Sequence, residues 1–154
     1  MTYPILLPSI IITGKEFYAR AIPLHETIEI LQHHNPGDIG SIGRYKNKRQ
    51  PYGSCIIASK NIGKYDSIDE LLEYCVKNKE LLLKLGAELD DTHFIIACEY
   101  KSKTFGLELK KRTVELLSQL GFGVGFDFYK RSRPGVCTVT GTNLRRKDRY
   151  NEDK

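Results

Sequence analysis

The feature that most constrains the fold is a long amphipathic segment with a start signal and a stop signal. Residues 67–86 read SIDELLEYCVKNKELLLKLG, in which apolar residues recur at helical spacing. Ser67 precedes Glu70 by three positions, the spacing of a capping box, and Gly86 supplies a C-terminal stop. The pattern predicts a helix over 68–85. Its predicted inner face consists of Ile68, Leu71, Leu72, Cys75, Val76 and Leu82.

Two shorter segments also have helical spacing. PLHETIEILQHH (23–34) begins with a proline suited to a first helical position, and Leu24, Ile28 and Leu31 recur at i, i+4 and i+7. This predicts a helix of about three turns with His33 and His34 at its end. LKKRTVELLSQLG (109–121) predicts a helix that ends at its glycine. The predicted inner face of this helix is Thr113, Leu116, Leu117 and Leu120.

Strand patterns alternate with these helices. They cover residues 8–14, 54–59, 92–101 and 123–131, with a possible last strand at 135–141. In the fourth, Val124, Phe126 and Phe128 alternate with Gly125, Asp127 and Tyr129, which predicts one buried face. The order of elements predicts an α+β fold rather than a doubly wound sheet. We expect two layers, with a four- to five-stranded mixed or antiparallel sheet and about three helices mainly on one face.

The length and the charge distribution predict the domain organisation. A chain of 154 residues is typical of one domain. Residues 130–154 hold eight Lys/Arg and three Asp/Glu, so the net charge of +5 belongs to the C-terminus and the remainder is neutral. We expect a single α+β domain over 1–134. Residues 135–154 are expected to form an extension with a possible short strand and a basic flexible tail.

The sequence predicts a cytoplasmic protein that does not enter a membrane. No stretch approaches the length of a transmembrane span. The N-terminal MTYPILLPSIIITG lacks a basic n-region and has Pro4 and Pro8 in its middle, which is unlike a signal peptide. The four cysteines form no CxxC pair, and three lie in apolar segments. This pattern favours buried free thiols in a reducing compartment over a disulfide framework.

The sequence predicts no catalytic, cofactor or metal site. GFGVGF (121–126) resembles a dinucleotide loop, but its glycines follow a helix and precede a strand, whereas the fingerprint needs the reverse order. The spacing of the histidines and cysteines does not fit a zinc site. Neither GxSxG nor GxxxxGK[ST] occurs. The sequence therefore does not lead us to expect an enzyme.

A loop rich in cations and tyrosines is the candidate binding segment. Residues 35–54 have turn residues throughout and predict a long exposed loop, in which Tyr45 and Tyr52 are interleaved with the cations Arg44, Lys46, Lys48 and Arg49. Single-stranded nucleic acid or an acidic protein surface would bind such a combination, and a merely solvated loop is the alternative. Tyr129 is predicted to lie opposite Phe126 and Phe128 and to be exposed. The predicted residues of an interface with an acidic surface are Arg44, Tyr45, Lys48, Arg49 and Tyr129.

Several segments together suggest a family. ITGKEFYARAIP (12–23), SIGRY (41–45) and FIIACEYKSKTFGLELKKRTVELLSQLGFGVGFDFY (94–129) resemble the bacterial domain-of-unknown-function 4279 family, over roughly residues 8–130. Members of that family are found among the small cytoplasmic proteins encoded beside polymorphic or contact-dependent toxins. The resemblance implies an immunity protein that neutralises a cognate toxin by stoichiometric binding, and it implies no catalytic residues. The alternative expectation is a nucleic-acid-associated protein that uses the basic loop at 44–52 and the basic C-terminal tail.

Overall fold

The computed structural model describes residues 5–61, 66–101 and 106–130. Within these ranges the chain forms one five-stranded mixed sheet and two α-helices, which confirms the α+β class. The elements are β1 (Ile5–Gly14), β2 (Ile28–His34), β3 (Gly53–Ser59), α1 (Asp66–Lys84), β4 (His93–Tyr100), α2 (Lys111–Leu120) and β5 (Gly123–Lys130). Short 3-10 turns occupy Ala19–Ala21, Gly43–Tyr45 and Leu89–Asp91.

The sheet has the strand order β2-β3-β1-β4-β5. β1 is central and pairs antiparallel with both β3 and β4, and β2 pairs antiparallel with β3. β4 and β5 are parallel, and α2 lies in the connection between them, as parallel neighbours require a crossover. The basic segment that follows β2 and the aromatic strand β5 therefore belong to opposite edges of the sheet.

The main core lies between one face of the sheet and the two helices. Alternate residues of β1, β3 and β4 point to this face because side chains in a strand alternate between the two faces. α1 contacts β1 and β3, and it also packs against α2. The buried cluster includes Leu6, Ile10, Ile12, Cys55, Ile57, Phe94 and Ile96 from the sheet, and Ile68, Leu71, Leu72, Leu82, Leu116 and Leu120 from the helices. On the opposite face, Leu7 and Ile11 are half-buried.

The helix predicted over 68–85 is confirmed as α1, and Gly86 ends it as expected. Gly86 has φ +94°, and its N–H donates to the Leu83 carbonyl at 3.0 Å while the Ala87 N–H donates to the Leu82 carbonyl at 3.0 Å. This is the Schellman arrangement. The predicted capping box is wrong, because α1 begins at Asp66 and Ser67 already lies inside the first turn.

The helix predicted over 109–121 is confirmed as α2, with the expected inner face. Thr113, Leu116, Leu117 and Leu120 are its buried residues. Gly121 adopts φ +72° and donates its N–H to the Leu117 carbonyl at 2.9 Å, and β5 begins at Gly123. The glycines of GFGVGF therefore join a helix to a strand, as their order predicted.

The helix predicted over 23–34 is wrong, because residues 28–34 form strand β2 at the edge of the sheet. Leu24, the first residue of the assumed helical stripe, is 87% exposed and buries nothing. The register of the β2–β3 pairing shifts between Ile30 and Gln32, so Leu31 is an irregularity in the strand. β-branched Ile28 and Ile30 favour the strand, and pairing with β3 outweighs the weak helical spacing.

The prediction that β5 buries one face is also wrong. Its register places Val124, Phe126 and Phe128 beside Phe94, Ile96 and Cys98, hence on the face that the helices cover. Their exposed fractions are nevertheless 43%, 40% and 52%, because β5 lies at the edge of the sheet.

The cysteines that the structure describes are free and buried, as predicted. Burial raises the pKa of the Cys55 and Cys75 thiols to about 12, and it raises the pKa of Cys98 as well. None of the described helices is long and apolar enough to cross a membrane. Cys137, the possible strand at 135–141 and the basic tail lie outside the described residues.

Candidate interaction surface

The basic loop, defined as residues 35–52, has an ordered backbone although most of its side chains are exposed. The loop consists of a first arm (35–42), a tip (43–47) and a second arm (48–52). The two arms pair through hydrogen bonds from the Gly37 N–H to the Gln50 carbonyl and from the Gln50 N–H to the Asp38 carbonyl, each 2.8 Å. The Gly40 N–H donates to the Lys48 carbonyl at 2.9 Å. Backbone pairing of this kind holds the loop in one arrangement, so a partner would meet a preformed surface.

The tip of the basic loop depends on residues that tolerate unusual backbone geometry. Gly43 and Asn47 have φ values of +71° and +59°, a region that favours glycine and asparagine. A Cβ atom at Gly40 would overlap the Tyr45 carbonyl oxygen, so only glycine fits there. These residues turn the chain sharply and bring the tip back onto the first arm.

Aromatic contacts join the basic loop to the sheet. The rings of His34 in β2 and Tyr52 have centroids 5.5 Å apart, and those of Tyr52 and Tyr45 are 6.0 Å apart in an edge-to-face arrangement. The Arg44 guanidinium lies over the Tyr45 ring, 5.6 Å from its centroid. These ring contacts therefore connect the edge of the sheet to the exposed guanidinium of Arg44, and they orient the tip of the loop.

The outer surface of the basic loop combines positive charge with exposed aliphatic side chains. Arg44, Lys46, Lys48 and Arg49 are exposed. The acidic residue of the loop, Asp38, forms an ion pair with Arg20 at 2.9 Å. On the first arm, Ile39 and Ile42 are 64% and 55% exposed. The outer surface of the basic loop therefore presents positive charge and two exposed aliphatic side chains together.

A pocket of about 320 Å³ lies between the first arm and the end of β2. It is lined by Arg20, Gln32, His33, His34, Asp38, Gln50 and residues 39–42. His34 is part of a strand rather than at a helix end, and burial lowers its pKa; Asp38 opposes this effect and His33 adds to it. Among the described residues, no three His, Cys, Asp or Glu side chains form a group that could hold a metal ion.

The structure brings four of the five predicted interface residues together. Arg44, Tyr45, Lys48 and Arg49 share the basic loop, whereas Tyr129 lies on β5 at the other edge of the sheet. Tyr129 is half-buried, and its hydroxyl lies 3.4 Å from Asp127 Oδ2.

Sequence reasoning missed the aliphatic and the pocket residues of this surface. The prediction of an exposed loop over 35–54 included Ile39 and Ile42, but the sequence analysis considered only the cations and tyrosines as binding residues. The wrong helix at 23–34 placed His34 next to the loop, but it did not indicate that the His34 ring lies against Tyr52. A strand interpretation of the segment TIEILQHH would have predicted the alternating side-chain directions that His33 and His34 have in β2.

Comparison with known proteins identifies no relative. No family model matches the chain, and no curated protein or solved structure matches it. The resemblance to the domain-of-unknown-function 4279 family stays a prediction.

Proposed function

We propose that the protein is a stoichiometric inhibitor that binds an acidic surface of a partner protein through the basic loop. The family resemblance suggests the class of partner, a bacterial toxin that the protein neutralises in the cytoplasm as an immunity protein. The observation that carries the proposal is the presence of Ile39 and Ile42, both more than half exposed, on the same ordered loop as four exposed cations.

The two kinds of side chain would have different roles in binding. Arg44, Lys46, Lys48 and Arg49 would attract an acidic surface over a distance and accelerate association. Burial of the two isoleucines would supply affinity that persists at high salt, since aliphatic contacts are not screened. Because the backbone of the loop is already paired, little conformational entropy is lost on binding.

A nucleic-acid-associated protein is the second candidate, and the tyrosines of the basic loop favour it. Stacking bases between tyrosines and arginines is common in single-strand binding. However, Tyr45 and Tyr52 are half-buried and pack edge to face against each other, which leaves less ring surface for a base. Exposed isoleucines also contribute little to binding a phosphate backbone. The geometry therefore favours a protein partner.

The test measures binding to the proteins encoded next to this gene, by calorimetry and by rescue of growth when the neighbour is toxic. The loop variant carries Arg44→Glu and Arg49→Glu. A matched control carries Lys77→Glu and Lys111→Glu, which change the net charge equally at exposed helix positions. We expect one-to-one binding that the loop variant weakens by several kcal/mol, mainly through slower association, and that the control retains.

Two results would contradict the proposal. One is a loop variant with an intact fold that binds and rescues as well as the wild type. The other is binding to unrelated RNA or single-stranded DNA with an affinity that falls steeply as salt rises, which would favour the second candidate.

A further inference from the structure

The pocket beside the basic loop contains polar atoms that the fold leaves unsatisfied. His34 Nε2 and Gln50 Oε1 are buried, and neither has a hydrogen-bond partner in the described part of the chain. Both residues line the pocket. Buried polar side-chain atoms are usually hydrogen-bonded, so two orphaned atoms at one pocket point to a ligand that satisfies them.

The fold holds both residues in place at this pocket. His34 is paired with Ser54 in the β2–β3 register, and its ring lies against Tyr52. The Gln50 backbone is fixed by hydrogen bonds to Gly37 and Asp38 on the facing arm. Their side chains are therefore positioned by strand pairing and loop pairing.

The surroundings of the pocket favour an anion over a cation. Asp38 is already neutralised by Arg20, and its Oδ2 atom also accepts the Asn35 N–H at 2.8 Å. The remaining charged groups of the basic loop, Arg44, Lys46, Lys48 and Arg49, are all positive. A cationic ligand would meet their repulsion and would compete with Arg20 for Asp38.

The available donors suit a carboxylate. Burial lowers the pKa of His34 from 6.5, so at pH 7 its imidazole is mainly neutral and carries one N–H, which can be on Nε2. Rotation of the Gln50 amide by half a turn replaces Oε1 with an NH₂ group. Two donors would then converge on the pocket, and Arg20 retains N–H groups beyond the one bonded to Asp38.

We propose that this pocket binds a carboxylate, namely the side chain of an aspartate or glutamate on the partner protein. The inference rests on the proposed function and names the chemical group that the basic loop recognises. Ile39 and Ile42 also line the pocket, and they would contact the apolar surface that surrounds the inserted acidic side chain. At about 320 Å³, the volume lies at the lower end of the range for small-ligand pockets, and it accommodates a side chain.

The test uses small probes and does not need the partner. The protein, labelled with ¹⁵N in its histidine and glutamine side chains, is titrated with N-acetylglutamate methylamide. The matched control is N-acetylglutamine methylamide, which has the same shape without the charge. We expect saturable shifts of the His34 ring and the Gln50 amide in the millimolar range with the glutamate probe, a rise in the pKa of His34 on binding, and no saturable shift with the control.

Variants and a second anion complete the experiment. Gln50→Leu should weaken the response of His34 at least fivefold, whereas Glu29→Gln, an exposed position of β2 outside the pocket lining, should leave it unchanged. Inorganic phosphate should shift the same resonances more weakly than the glutamate probe. The carboxylate assignment is overturned by equal responses to the charged and neutral probes, by no response, or by tighter binding of phosphate.

The experiments give different results if the carboxylate pocket is wrong and if the proposed function is wrong. If the probes do not bind but the Arg44→Glu, Arg49→Glu variant loses the partner, the carboxylate pocket is wrong and the basic loop remains the interface. If the probes bind and the partner is unaffected by that variant, the proposed function is wrong, and the carboxylate belongs to another ligand than this partner.

Discussion

The imidazole of His34 lies against the ring of Tyr52, with 5.5 Å between the ring centroids and 60° between the planes. This contact joins the last residue of edge strand β2 to the end of the basic loop. Tyr52 in turn packs against Tyr45, so the position of the exposed tip is coupled to the sheet. A change in the charge of His34 would therefore affect the part of the molecule that we propose to bind the partner.

Acidification should destabilise the protein through His34. Burial lowers the folded-state pKa of this imidazole from 6.5, so the unfolded chain binds the proton first as the pH falls. Stability is then lost from about pH 6.5 downwards, by at most about 1.4 kcal/mol per pH unit for one proton, until the folded state also protonates. The measurement is urea denaturation at several pH values for the wild type and for His34→Phe.

The comparison between variants isolates the contribution of His34. The His34→Phe variant keeps a ring against Tyr52 and should lose the part of the pH dependence that appears below about pH 6.5. His33→Gln, at the exposed neighbouring position, should retain most of it. Parallel stability curves for the wild type and His34→Phe would mean that His34 does not contribute.

A series of three glycine replacements should separate backbone strain from steric overlap. Gly86 has φ +94°, and a Cβ atom there would overlap the Glu16 carbonyl oxygen. Gly121 has φ +72° but open space around it, and Gly106 has open space without a positive φ. We expect almost no loss of stability for Gly106→Ala, a loss of about 1–2 kcal/mol for Gly121→Ala, and a larger loss for Gly86→Ala. Thermal or urea unfolding of the three variants would measure the order, and equal losses at Gly86 and Gly121 would contradict the steric argument.

The two helices could be predicted from the sequence because their signals agree at several levels. In α1 the helical spacing of apolar residues and the stop signal at Gly86 predict the same helix. In α2 the spacing and Gly121 agree in the same way. The capping box failed because its start signal is a pattern of only two residues, whereas the helix already begins at Asp66.

The type of edge strand β2 and the exposure of edge strand β5 could not be predicted, because both depend on distant parts of the chain. Residues 28–34 pair with β3, which lies about twenty residues further along, and only that pairing decides between strand and helix. β5 has the alternation of a half-buried strand, but its place at the sheet edge exposes Phe126 and Phe128. The order in which the strands pair is set by the whole sheet, and the hydrophobic pattern of a single strand contains little information about it.

The candidate site could be predicted only in part for a similar reason. The density of cations and tyrosines marked Arg44, Tyr45, Lys48 and Arg49, which share the basic loop. The orphaned atoms of His34 and Gln50 arise from two segments that meet only in the folded chain. No local motif could have indicated them.

The helices α1 and α2 are joined by a buried hydrogen bond and by an exposed ion pair, and the hydrogen bond should contribute more to the free energy of unfolding. Thr113 is 3% exposed, and its hydroxyl donates to Asp69 Oδ1 at 2.6 Å. Arg112 and Glu73 also join the helices, at 3.2 Å, but both side chains are 53% exposed. We expect Thr113→Val to cost about 1.5–3 kcal/mol and Arg112→Ala to cost less than about 1 kcal/mol.

Raising the salt concentration should distinguish the ion pair from the buried hydrogen bond. The Arg112–Glu73 pair should lose its effect in high salt, because exposed charges are screened, whereas the effect of Thr113→Val should persist. Urea unfolding at low and high sodium chloride would measure both. A cost for Thr113→Val no larger than that for Arg112→Ala would show that the buried hydrogen bond does not hold the helices together.

The parallel pair of β4 and β5 provides a last test, because Phe94 and Phe126 lie on the same sheet face in very different surroundings. Phe94 is fully buried beneath the helices, whereas Phe126 is 40% exposed. Phe94→Ala removes a whole ring from a close-packed core and should destabilise the protein by about 3–5 kcal/mol. Phe126→Ala removes a ring that already meets water, so the hydrophobic contribution lost should be about half as large. Urea denaturation of both variants, with Phe94→Leu as a milder replacement if Phe94→Ala fails to fold, would measure the difference. A cost for Phe126→Ala equal to that for Phe94→Ala would mean that the edge strand is buried in solution by something outside the described core.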